Sequence, residues 1–202
     1  MQSEVDYLSA RADAIAAMKQ LAAKKFLILD TETTGLDDSA EVVQIAVIDS
    51  DGNVLLDTLV KPSKPIDERG RAFAVHGISN EMVKDAPTFD QVWDSLVQLL
   101  TDGLHVAIYN ADFDTRIVEQ SAKHVGIKSH HMKNDGTWAD VSLIQGGVRT
   151  IDIMNPYAEF VGEYNEYHGN FKWQRLPGGG HTALSDCIAT LALIKKMASA
   201  EV

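Results

Sequence analysis

The chain has 202 residues, with 18 Lys and Arg against 29 Asp and Glu, a formal net charge of −11. That balance excludes a protein that coats nucleic acid through a broad basic surface, because phosphate contacts dominate such binding; a local site with bound cations is still permitted. A composition 45% hydrophobic and 23% charged suits one soluble globular domain, the lone Cys187 excludes an internal disulfide or cysteine-based zinc site, and no apolar run reaches the roughly 18 residues of a membrane helix.

The N-terminus, MQSEVDYLSARADAIAAMKQ, lacks the pattern of a secretory signal, so a cytoplasmic protein without a membrane partner is expected. Val5, Leu8, Ile15, Met18 and Leu21 recur near a helical period, which predicts a helix over 3–23 and sets 1–24 apart from a domain at 25–202. Phe26-Leu27-Ile28-Leu29 is an unbroken apolar run ending at Asp30, as in a buried central strand. Residues 42–49 and 53–60 are β-rich and joined through Asp51-Gly52, a hairpin signal. Prolines and glycines over 61–87 predict loop with short turns.

Beyond them, Phe89, Val92, Trp93, Leu96, Leu99 and Leu100 mark the inner face of a helix over about 88–100. A strand at 105–109, a helix at 113–124, an indistinct polar stretch at 127–147, a strand at 148–152 and a helix near 153–162 follow. Residues 163–180 resist assignment, and a last helix runs from about Thr182 to Ala198. Hairpin-linked strands followed by right-handed crossovers give an α/β architecture, a mixed central sheet of about five strands with helices on both faces. A ribonuclease H-like fold fits that order.

Three segments carry candidate chemistry. In extended backbone residues i and i+2 point to one side, so Asp30 and Glu32 should converge at the strand end, an arrangement that a cation makes tolerable; surface turns also yield Asp-x-Glu by chance. Asn110-Ala111-Asp112-Phe113-Asp114 follows a strand and opens a helix. There Asp112 suits a cap, whereas Asp114 lies at the sheet edge where ligands of open α/β folds bind. Gly178-Gly179-Gly180-His181-Thr182-Ala183-Leu184-Ser185-Asp186 puts His181 on a glycine-rich loop and anchors Asp186 in the following helix. An acid fixed in this way can bind metal while a mobile imidazole takes a proton from water; the plain alternative is a surface histidine beside a flexible loop.

Taken together, FLILDTETTGL, NADFD and HTALSD over residues 26–198 resemble the DEDDh, DnaQ-like 3′→5′ exonucleases. The resemblance implies phosphodiester hydrolysis with two divalent ions, Mg²⁺ or Mn²⁺, at nucleic acid 3′ ends, single-stranded or frayed, with DNA ranked ahead of RNA and the choice between them left open by the sequence. Carried over by residue, Asp30 would bridge both ions and Glu32 and Asp186 would help hold the one that activates water. Asp114 would complete the set through metal-bound waters, and His181 would accept the water's proton. The backbone over Thr33, Thr34, Gly35 and Leu36 would receive the 3′ hydroxyl, Leu36 would pack on the last bases, Val75-His76-Gly77-Ile78 would form a second wall, and Phe113 would meet the terminal sugar. Asn110 would position its loop; for Leu36 and Ile78 core packing is the alternative.

Tyr109 stands where relatives carry histidine, and Leu176 runs almost directly into the glycines where relatives insert a further helix. Phe171-Lys172-Trp173-Gln174-Arg175 mixes aromatics and cations as a strand-stacking surface would, although an aromatic anchor with solvated cations is the simpler reading. The alternative function is a catalytically weak nucleic-acid-binding or adaptor module of the same fold, or one whose N-terminal helix recruits a polymerase or other protein.

Overall fold

Alternation along the central strand divides the molecule into two packed layers. The structure, a computed structural model, describes residues 2–101, 104–127, 130–132, 138–140 and 148–201, with side chains described from residue 7 onward and not over 128–147. Strand β1 (Phe26–Thr33) lies mid-sheet, flanked by antiparallel β2 (Val42–Asp49) and parallel β4 (His105–Ile108); β3 (Val54–Leu59) and β7 (Arg149–Asp152) form the edges. The sheet is therefore five-stranded and mixed, as expected, and the β2–β3 hairpin turns at Asp51-Gly52.

Leu27 and Leu29 of β1 join Ile45, Val47, Val106 and Ile108 against helices α4 (Phe89–Leu100) and α5 (Ala111–His124). Phe26 and Ile28 join Ala46, Ile48 and Ala107 on the other face, against α1 (Gln2–Ala22), α6 (Met154–Val161) and α7 (Ala183–Ala198). Helix α4 begins with a reciprocal capping box between Thr88 and Gln91 and buries Phe89, Val92, Trp93, Leu96 and Leu100.

Several elements differ from expectation. β1 continues past Asp30 to Thr33, because Thr31, Glu32 and Thr33 still pair with β2. Between Glu32 and Thr33 the register slips by one residue, as at a β-bulge, and the carbonyl of the unpaired Val43 accepts from the Val60 amide. The stretch over 61–87 contains two short helices, α2 (Arg71–His76) and α3 (Asn80–Val83), which cover a small cluster of Val43, Ile66, Ile78 and Val83. Ile78 is thus a core residue. Helix α5 starts at Ala111, two residues earlier than its pattern predicts. Within 127–147 the short strands β5 (His130–Met132) and β6 (Trp138–Asp140) pair; the surface placement expected for the remainder, and the side chain of Trp138, lie outside the described residues. Residues 163–180 include a two-stranded ribbon of β8 (Tyr164–Asn165) and β9 (Asn170–Phe171).

Helix α1 shares the core of the body. Ala14, Ile15, Met18 and Leu21 are buried against α6 and α7. The Arg11 guanidinium donates to the Phe160 carbonyl at 2.5 Å and lies over the Phe160 ring, 4.1 Å from its centre. The Tyr7 ring rests on Gly162, where any β-carbon would come within 1.8 Å of it and φ is +80°. No helix among the described residues is long and apolar enough to cross a membrane.

Met18 is 1% exposed, so Met18→Ala should cost about 2–4 kcal/mol of stability by urea denaturation, the usual range for a large-to-small core change. A loss under about 1 kcal/mol would show that α1 is only loosely attached.

Candidate active site

The carboxyl end of β1 gathers three acids. Asp30 and Glu32 fall on the same face as Phe26 and Ile28, which is the face covered by α7, and Asp186 projects from that helix's first turn. Asp30, Glu32 and Asp186 each offer a ligand oxygen, and these oxygens all lie within 4.8 Å of one another. Neither the Asp30 nor the Glu32 carboxylate accepts a hydrogen bond or forms an ion pair among the described residues, so their side-chain oxygens are left bare and partly reachable.

The electrostatics follow from that crowding. Burial raises the Asp30 pKa well above the ordinary carboxylate range, and the neighbouring charges of Asp114, Asp186 and Glu32 push it further the same way. Glu32 is raised to about 7, by burial first and then by Asp186 and Asp114. A partly buried all-oxygen donor set with unbalanced negative charge suits a hard divalent cation such as Mg²⁺ or Mn²⁺.

Asp114 reaches the site from the opposite layer. It is 3% exposed at the start of α5, and its Oδ1 accepts from the Thr31 amide at 3.0 Å and the Thr31 hydroxyl at 2.7 Å. The β1–β4 pairing ends at Ile28, so the Thr31 N–H has no strand partner on that side and Asp114 satisfies it. Burial raises the Asp114 pKa to about 7 although both Thr31 bonds oppose the shift. Asp114 therefore adjoins the compact trio without belonging to it.

His181 also stands apart from the trio. It is exposed, with φ at +58°, and immediately precedes the α7 N-cap Thr182. The glycines before it are set by close approach as much as by mobility. The Gly180 amide donates to Asp186 Oδ1 at 2.8 Å, a β-carbon on Gly179 would meet that oxygen at 3.0 Å, and one on Gly180 would meet Ser185 Oγ at 2.8 Å. The loop that carries His181 is thus tied to a cluster carboxylate.

Among the expected substrate-holding residues, Leu36 is 77% exposed at the tip of the loop after β1. That loop is clamped to α5 by Arg116, which donates to the Leu36 carbonyl, and by Gln120, which donates to the carbonyls of Asp37 and Ala40. Thr33 is buried and its hydroxyl donates to the Gly35 carbonyl. His76 has both ring nitrogens engaged: Nδ1 accepts from the Ile78 amide, which leaves Nε2–H to donate to the Thr33 carbonyl at 3.1 Å. Thr33 and His76 therefore hold the loop's shape, while Val75 is exposed on α2. Phe113 is half-buried beneath the Arg116 guanidinium. Asn110 adopts a left-handed conformation (φ 69°) directly before α5.

Sequence reasoning missed Thr31, Arg116, Gln120 and the glycine-to-Asp186 contact. Thr31 was discoverable, since the residue between two converging acids must face the other layer. It also missed Asp152, whose two carboxylate oxygens accept from the first amide of α5 (Ala111) and from Asn155 in α6. Asp112 makes no capping bond of its own, so Asp152 takes the part expected of it. Cys187 is fully buried against the carbonyls of Ile28 and Ala46, a packing residue as expected. A cleft of about 710 Å³ opens at the opposite end of β1, among Lys25, Phe26, Asp49, Leu56 and Leu99, and gathers no cluster of ligating groups among the described residues.

Residues 27–194 match the profile of the RNase T type exonuclease family. The chain belongs to the exonuclease family. It is 41% identical over 192 residues to an uncharacterized exonuclease, CP81, of Escherichia phage 186, covering 87% of this chain and 92% of that one. It is 29% identical over 157 residues to the DNA polymerase III subunit epsilon of Rickettsia conorii, covering 72% and 67%. Among solved structures, E. coli exonuclease I in complex with a dT13 oligonucleotide superposes with a TM-score of 0.64 at 17% identity, over 87% of this chain but 41% of that one. That likeness supports the ribonuclease H-like fold, and the chain spans about two fifths of exonuclease I.

Raised carboxylate pKa values stabilise the folded chain only while the groups stay protonated. Their contribution is fully present below the ordinary values of 3.8 and 4.5 and is lost as pH rises through about 7. In EDTA the Tm should therefore fall between pH 5 and pH 8. Asp30→Asn should flatten that fall, and Mg²⁺ or Mn²⁺ should restore the Tm at pH 8. A metal-free Tm that climbs over this interval would contradict the charge crowding.

Proposed function

We propose that this exonuclease-family chain removes nucleotides stepwise from the 3′ end of a strand, DNA in preference to RNA, with two divalent ions. The observation that carries the reading is the convergence of Asp30, Glu32 and Asp186 on one point, with no ion pair to any of them among the described residues. The donor set fits the metal, because every donor is a carboxylate oxygen and those of Asp30 and Glu32 are unspent on hydrogen bonds. Asp30, Glu32 and Asp186 would hold the ions, with Asp114 completing the set from the other face. When bound, two such ions supply an activated water and offset charge on the departing 3′ oxygen.

The chain's own residues do the rest. His181 accepts a proton from the attacking water, and its loop is kept in register with the acids through the Gly180–Asp186 bond. The loop after β1, held by His76, Arg116 and Gln120, presents Leu36 to the terminal bases. The preference for DNA is supported by the polymerase subunit among the relatives, which also makes a polymerase a candidate partner and proofreading or repair a candidate role.

The test uses matched DNA and RNA oligonucleotides labelled at the 5′ end, with Mg²⁺, Mn²⁺ or EDTA. A ladder of stepwise shortened products that EDTA abolishes, forming faster on DNA, is expected. Asp30→Asn should lower the rate at least about a thousandfold, and His181→Ala about a hundred- to ten-thousandfold, the span of general acid–base catalysis. Full activity in Asp30→Asn would refute the site. No ladder on any strand would favour a binding or adaptor module instead.

A further inference from the structure

A second cleft, of about 330 Å³, lies between α6 and the β8–β9 ribbon, walled by Asn155, Glu159, Tyr164, Phe171 and Trp173. Trp173 is 67% exposed, yet its indole N–H donates to Asn155 Oδ1 at 3.0 Å, so the edge of the ring is pinned while its face is open. Tyr164 stands edge-on to Phe171 with ring centres 5.4 Å apart, which stiffens the other wall. A large aromatic held in place and left in solvent spends little entropy on gaining a stacking partner. The wall beside it offers the Asn155 amide N–H₂ as donor and the Glu159 carboxylate as acceptor. Planar π-surface with donors and acceptors at its edge is the complement of a nucleobase.

We propose that this cleft is an accessory base site, in which Trp173 stacks a base of the strand whose 3′ end lies at Asp30, Glu32 and Asp186. The inference rests on the exonuclease reading for the other end of that strand. Continuity with the site supports this occupant. The Tyr109 hydroxyl donates to the Gln174 carbonyl at 2.7 Å, which ties the residue after Trp173 to the one before Asn110 and α5. Asp152 joins α5 and α6 through its two oxygens, so the cleft and the Asp114 helix share one support. Along the chain on either side of Trp173, Arg175 is exposed and forms no ion pair among the described residues, whereas Lys172 lies 4.0 Å from Glu163. With Glu163 beside Lys172 and Glu159 in the cleft wall, the contact should come from base stacking rather than phosphate neutralisation, and its strength should depend little on salt.

The experiment uses the full chain carrying Asp30→Asn, so that strands survive, and follows binding of 5′-fluorescein oligothymidylates of two to twelve nucleotides by anisotropy. Adding Trp173→Ala should weaken the twelve-mer about five- to hundredfold, and Trp173→Phe less than about threefold, as for one stacked base. The penalty should shrink towards the dinucleotide and hold between 50 and 200 mM salt. Unchanged twelve-mer affinity, a loss equal at all lengths, or no binding of any strand overturns the proposal. A native chain that cuts a ladder without any Trp173 effect overturns this cleft alone; a length-dependent Trp173 effect without a ladder overturns the exonuclease reading and leaves a strand-binding cleft.

Discussion

The structure is organised around negative charge that no cation among the described residues neutralises. Asp30, Glu32 and Asp186 converge at the end of the central strand with Asp114 alongside, and no described lysine, arginine or histidine pairs with any of them. The two helix-borne acids are tethered, Asp114 by Thr31 and Asp186 by Gly180 and Ser185, while the two strand-borne acids are bare. Tethering fixes the outer carboxylates without occupying the inner ones. The inner acids stand where β1 is still paired with β2, on a strand whose preceding residues are paired on both sides and packed on both faces. Like-charged groups crowded in this way cost stability.

The period of two in β1 links the layers. Asp30 and Glu32 face α7, and Thr31 between them faces α5, so one tripeptide meets an acid from each layer. Because Thr31 gives both its amide and its hydroxyl to Asp114, a shift of α5 is transmitted to the backbone that holds the other two acids. The same coupling reappears at Asp152, which seats the first turns of α5 and α6 at once. Helix packing and site geometry are thus one problem here.

Much of this was legible in the chain, and the limits have physical causes. The apolar run at 26–29, the Asp51-Gly52 turn and the helical periods at 88–100 and 182–198 report burial directly, and each element lies where they place it. β1 looked shorter than it is because its last four residues are polar and are kept extended by pairing with β2, a tertiary effect. The helices α2 and α3 and the β8–β9 ribbon are too short for any period to emerge and depend on contacts such as His76 with Thr33 and Asn80 with Ile66. The convergence of Asp30, Glu32 and Asp186 could be anticipated from strand alternation and the closing helix. The Thr31–Asp114 bond spans 83 residues and left no local mark. The loop before His181 read as merely flexible, whereas two of its glycines are there because Asp186 and Ser185 come close.

Among the described residues, only Asn110 and His181 take positive φ without being glycine. Each directly precedes the turn that delivers a site acid: Asn110 opens α5, which carries Asp114, and His181 precedes the cap of α7, which carries Asp186. A left-handed residue costs roughly 1–2 kcal/mol for an L-side chain, less for asparagine, and it persists only where the surroundings enforce it. Here the enforcement is visible. Asp152 holds the amide after Asn110, and Asp186 holds the amide before His181. In both cases the left-handed residue stands at the entry to the helix whose first turn carries the carboxylate. For His181 the same kink leaves the imidazole outside the carboxylate cluster and exposed, on a link one residue removed from the Gly180–Asp186 bond. The Asp186 carboxylate thus belongs both to the acid cluster and to the hydrogen bond that holds the amide one residue before His181.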